Sequence, residues 1–202
     1  VHARRLELER QRDLLPAFPR LQIHERAGFH SGFAPSEDSL RWVQVDLGAE
    51  FDLDAVVLVP AVLGGAEAYG FPRGFRIDAS GDPLFAASVP LYEHTAVEEL
   101  SAPAPWSVTG RGVRARYVRV SATRLVSQPG QNKRFFFCLG ELLVFSGGRN
   151  VALQCSVDAP KSVETLPTWS PRHLVDGTHA LGLPLAAASG LSNGWHSLVS
   201  KA

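Results

Sequence analysis

The sequence contains no methionine, two cysteines and only three lysines, Lys133, Lys161 and Lys201. Cys138 and Cys155 alone exclude a disulfide framework. They read as two buried thiols, with a bridge between them left open. Lys+Arg 20 against Asp+Glu 20 gives a formal net charge of +0, which excludes the basic excess of a general nucleic-acid binder. No apolar run approaches the ~18–20 residues of a transmembrane helix, so no membrane span is expected. Val1-His2-Ala3-Arg4-Arg5 leads into charge, so a signal peptide is missing as well. Without an initiating Met, the chain reads as a fragment or a mature form.

Catalytic patterns are equally scarce. His24-Glu25 begins like a zinc-protease helix, but Gly28 stands where the second His belongs. Ser31 sits in Gly28-Phe29-His30-Ser31-Gly32, which is not a nucleophile elbow. The chain is therefore expected not to be an enzyme. Helical periodicity is also missing after residue 20. Residues 1–15 mix Leu6, Leu14 and Leu15 with Arg and Glu, and Pro16 ends the run; they predict a short helical linker.

What is present is alternation. In Arg41-Trp42-Val43-Gln44-Val45-Asp46-Leu47-Gly48, Val43, Val45 and Leu47 share one face of a strand and Trp42, Gln44 and Asp46 the other. Residues 49–52 read as a turn, and the Val-rich run that follows as a second strand. Further strands are predicted over 71–80, 116–123 and 135–145, and a short one near Leu21 and Ile23. Residues 28–41, 63–73 and 125–136 read as loops. Many short strands at this spacing indicate an antiparallel sandwich. Asp46 and Arg119 are expected to form an ion pair tying the sheets.

Four of these pieces carry a resemblance. Trp42-Val43-Gln44-Val45-Asp46-Leu47-Gly48, Phe71-Pro72-Arg73-Gly74-Phe75-Arg76-Ile77, Ala115-Arg116-Tyr117-Val118-Arg119-Val120 and Leu139-Gly140-Glu141-Leu142-Leu143-Val144-Phe145 resemble, in order, core strands of discoidin domains. These are also called coagulation factor 5/8 C-terminal domains. The resemblance implies an all-β, eight-stranded antiparallel jelly-roll sandwich of the galactose-binding type, here as an appended module of a bacterial extracytoplasmic protein. At Arg149-Asn150-Val151-Ala152-Leu153 the chain starts again like the opening strand of such a domain, and Leu174-Val175-Asp176-Gly177 resembles the segment that follows it. Gly194-Trp195-His196-Ser197 then repeats Gly28-Phe29-His30-Ser31, a match visible without any family knowledge. The expected organisation is a linker at 1–20, a sandwich at 21–148, and the start of a second, incomplete copy at 149–202. The alternative is that this last segment packs back on the first domain.

The function expected is a non-catalytic module that binds carbohydrate through loops at one end of the sandwich. The alternative is a protein-interaction or scaffolding module within a larger chain. The candidate ligand-binding residues are His30, Tyr69, Arg73, Asn132 and Arg134, with Phe33 and Phe136 as apolar walls. Aromatic faces pack on sugar C–H surfaces, while His, Arg and Asn bond hydroxyls. The partners expected are a glycan or other cell-surface ligand and neighbouring domains, with no nucleic acid. The location expected is periplasmic, cell-surface or secreted. No cofactor is required. The resemblance offers a structural calcium held by the Asp of the Asp-Gly pair and the Glu of the closing strand. Asp176 and Glu141 fall in different copies, which speaks against that site.

Overall fold

The structure, a computed structural model, describes residues 26–95, 105–128 and 134–178. The predicted N-terminal helix and the strand near Leu21 lie outside the described residues. Thirteen strands follow in order: β1 Phe29–His30, β2 Arg41–Val59, β3 Ala61–Leu63, β4 Ala66–Tyr69, β5 Gly74–Ser80, β6 Val89–His94 and β7 Trp106–Arg124, then β8 Val126–Ser127, β9 Phe135–Phe136, β10 Cys138–Leu139, β11 Glu141–Ser146, β12 Arg149–Asn150 and β13 Ser156–Asp158. A single 3-10 turn, Pro171–Leu174, is the one helical element among the described residues. All strand ladders are antiparallel.

The frame is the long pair β2 and β7. Gly48 does not end a strand, as the sequence suggests; β2 runs through it. Asp46 pairs with Tyr117 and Phe51 with Ala115, so residues 47–50 face the single residue Arg116. Such a bulge bends a strand sharply. Gly48 takes a φ of +80°, a conformation other residues resist. Arg116 clamps the bend: its Nε and Nη2 donate to the two carboxylate oxygens of Asp46 at 2.7 and 2.8 Å. The Asp46–Arg119 pair expected from sequence is thus corrected. Arg119 points across the strand to Gln44, at 3.0 and 2.6 Å, and its guanidinium is sandwiched between the rings of Trp42 and Phe85.

A second bulge, between Leu53 and Ala55, sets three residues (110–112) against one. It changes the parity of the inward positions. Val43, Val45 and Leu53 are buried on odd numbers, Val56 and Leu58 on even ones. One core face is thereby kept through both bends. The bent pair makes an eight-stranded sandwich: β13, the first part of β2, the last part of β7, β5 and β6 form one layer, and β11, the second part of β2 and the first part of β7 form the other. One apolar cluster draws on both layers, including Phe29, Val45, Leu58, Ile77, Val120 and Leu142.

The chain after Ser146 stays on this sandwich. Strand β12 pairs with β11, and β13 pairs with the free edge of β2, Val157 opposite Val45. Ala152, Leu174 and Val175 are buried in the same apolar cluster as Phe29 and Leu142. Residues 63–70, expected as an open connection, contain the β3–β4 hairpin. The strand expected over 71–80 begins only at Gly74. Both cysteines are free thiols.

Candidate functional site

One end of the sandwich gathers aromatic side chains from four separate segments. Strand β1 is placed by its backbone and by two residues with strict demands. A Cβ on Gly28, whose φ is +111°, would lie 2.1 Å from the Leu139 carbonyl oxygen, so only glycine fits. Ser31 bonds on both sides: its N–H donates to Phe137 O at 2.9 Å, and its Oγ accepts from Phe137 N at 3.0 Å. Ala34 and Phe135 then exchange backbone hydrogen bonds at 2.7 and 3.1 Å. These bonds set Phe33 beside Phe136.

His30 lies flat on Phe136, ring centroids 4.8 Å apart and planes 8° apart. Phe33 meets both rings edge-on at 5.4 and 5.7 Å. Tyr69, at the end of β4, approaches Phe136 at 5.3 Å and Trp169 at 6.1 Å. Trp169 stands edge-on to His30 at 5.2 Å. The Arg134 guanidinium lies 4.7 Å from the centre of the Phe33 ring, an attraction between a cation and a π face.

Burial divides this cluster into floor and rim. His30 is 5% exposed, Phe136 1% and Trp169 7%, whereas Phe33 is 39% exposed. Arg134 is exposed and Tyr69 half-buried. Two expectations change as a result. Phe136 is floor rather than wall. His30 is packed and already bonded, its Nδ1 accepting from Gly32 N at 3.0 Å. That bond fixes the neutral tautomer and leaves Nε2 as the donor. Burial lowers its pKa to about 4. His30→Ala would therefore disturb the packing, not only a surface contact as the sequence implied. Arg73 is half-buried where the chain enters β5, its N–H donating to Arg124 O at 2.9 Å. Asn132 lies outside the described residues.

Sequence reasoning missed Trp169, because it fell in the stretch assigned to a second copy. The pairings that carry it here are long-range: Trp169 bridges Gly28, Ala27 N donates to Thr168 O at 2.8 Å, and Ser170 N donates to Gly28 O at 3.1 Å. None has a local signature.

The same return brings Asp176 to Glu141. Glu141 is wholly buried; its Oε1 accepts from Gly177 N, and its Oε2 has no partner. Burial first, then the charge of Asp176, pushes its pKa up to about 9. Asp176 accepts from Thr178 N at 2.8 Å and pairs with Arg26 at 3.1 Å. The two carboxylates, distant in sequence, are therefore neighbours in space. An orphaned carboxylate oxygen beside a second carboxylate suits a hard cation with oxygen ligands. Among the described residues no three His, Cys, Asp or Glu side chains converge, so any further donors would be backbone carbonyls.

No family model matches the chain, and no curated protein does. Similar solved structures include CBM32-3 from a family 31 glycoside hydrolase of Clostridium perfringens. It is 17% identical, with 58% of this chain and 73% of that one covered, at a TM-score of 0.45. Chitosan-binding module 1 from a chitosanase/glucanase of Paenibacillus sp. IK-5 is 19% identical over 56% of this chain and 74% of that one, TM-score 0.40. CpGH89CBM32-5 of Clostridium perfringens, in complex with GalNAc-β-1,3-galactose, is 14% identical over 62% of this chain and 99% of that one, TM-score 0.40.

Proposed function

We propose that the chain is a non-catalytic binding module that takes a carbohydrate at the end of the sandwich carrying Phe33, Tyr69 and Arg134. The observation that supports this most is the Phe33 ring, 39% exposed with a guanidinium over one face. It stands on a floor of His30, Phe136 and Trp169 that holds it in place. A sugar offers a C–H face to an aromatic ring and hydroxyls to Arg134 and Tyr69. A floor fixed before the ligand arrives lowers the ordering cost of binding.

In this reading residues 26–178 fold as one unit, because the return segment supplies Trp169 to the floor and β13 to the sheet. Glu141 and Asp176 would hold a structural calcium that ties the return segment to β11, away from the binding end's chemistry. The parent protein, in this reading, displays the module outside the cytoplasm.

A glycan array followed by calorimetry tests the function. Phe33→Ala and Tyr69→Ala should each weaken binding by roughly 1–2 kcal/mol, the scale of one stacking contact or hydrogen bond. Their melting temperatures should stay close to that of the parent chain. If no glycan binds, and a partner protein instead loses affinity on Phe33→Ala, the interaction-module reading replaces this one.

A further inference from the structure

The sequence contains two versions of the tetrapeptide that forms β1, and the structure shows what each of its positions does. Gly28 admits no Cβ, because one would meet Leu139 O at 2.1 Å. Phe29 is 0% exposed and packs on Phe137 at 5.4 Å. His30 stacks on Phe136. Ser31 takes both hydrogen bonds with Phe137. Gly194-Trp195-His196-Ser197 presents the same glycine, aromatic, histidine and serine in the same order. A chance match would not be expected to keep the two polar groups and the one obligatory glycine together.

The ends of the described fold also meet at this place. Asp176 pairs with Arg26 at 3.1 Å, two residues before Gly28, and Ser170 bonds Gly28 O. Residues 179–193 connect this point to the second tetrapeptide. Fully extended they reach roughly 50 Å, far more than a return to the adjacent strand position requires. Such a tether keeps the second tetrapeptide at a local concentration that on general grounds is in the millimolar range.

We propose that the β1 position has two occupants encoded in one chain: residues 28–31, which fill it in this structure, and residues 194–197, which replace them by strand exchange within the same molecule. The first occupant is favoured. Trp195 is larger than the fully enclosed Phe29, and overfilling a packed core is costly. Leu198 stands where Gly32 takes a φ of +69°, a conformation that disfavours a side chain. Exchange also puts Val199 where Phe33 stands, so the exchanged form loses the exposed ring under Arg134. The exchange does not depend on what the module binds.

The register supplies a trap. His30 lies opposite Cys138, so a thiol at position 196 would face Cys138 only in the exchanged form. The full chain carrying Cys155→Ser and His196→Cys should form, under mild oxidation, a disulfide between Cys138 and position 196 within a monomer, mapped by mass spectrometry. Adding Gly194→Val should abolish it, and adding Gly28→Val to evict the first occupant should raise its yield severalfold. The matched chain with His30→Cys shows that the position can bridge. Three results overturn the proposal: no disulfide under conditions that bridge the His30→Cys chain, a disulfide that survives Gly194→Val, or one found only in covalent dimers.

Discussion

His30 shows how one side chain can serve structure and site together. It carries Phe33 on one side and rests on Phe136 on the other. Its buried ring stays neutral, with a pKa lowered from 6.5 to about 4. The unfolded chain therefore binds a proton between those values that the folded chain refuses. Stability is full above about pH 6.5 and falls as the pH drops toward 4. Melting curves from pH 7.5 to 4 should show this fall, and His30→Gln should flatten it. His94, also lowered by burial, would leave a residual slope; an unchanged slope would remove His30 as its source. Ser31→Ala strands the buried Phe137 N–H and should cost about 1–3 kcal/mol in a denaturant titration. The side chains at this end were legible in the sequence because residue type announces them: Phe33, Tyr69 and Arg134 stand in loops among glycines and polar residues. Which of them are floor and which are rim was not legible, since burial depends on Phe135 and Trp169 arriving from elsewhere.

At the scale of elements, alternation carried the reading well where a strand has one buried face. Val43, Val45 and Leu47, and Val118, Val120 and Ala122, all point inward as the pattern requires. It failed at the bends. Gly48 looked like an end because a glycine followed by charge usually marks a turn, whereas here Arg116 holds Asp46 and lets β2 continue. The return segment was opaque for a different reason: three-residue β13 and a 3-10 turn have no period to read. Its weight can be measured directly. Leu174 is 0% exposed within the common core, so Leu174→Ala should destabilise the protein by about 2–5 kcal/mol, comparable to Leu58→Ala in β2. A value near zero would detach the segment from the core. The Glu141 and Asp176 neighbourhood predicts in addition that calcium raises the melting temperature, that a chelator reverses the rise, and that Glu141→Gln removes the response.

The whole molecule rests on β2 being covered along its length. Its second part lies between β7 and β11, its first part between β7 and β13. Removing residues 149–202 strips β13 from that edge and takes Ala152, Leu174 and Val175 from the core and Trp169 from beneath the binding end. It also leaves Glu141 without the Gly177 N–H that bonds it. An uncovered edge strand beside an opened core is a site for association with other chains. The truncated chain should therefore lose its cooperative thermal transition and aggregate. A chain cut after residue 178 keeps every one of these contacts and should melt within a few degrees of the full chain. The pair of truncations separates two arrangements that the sequence left open. If residues 149–178 merely begin a second copy, both truncated chains melt alike. If they complete the first, only the longer one holds its fold, and only it retains the ordered floor beneath Phe33.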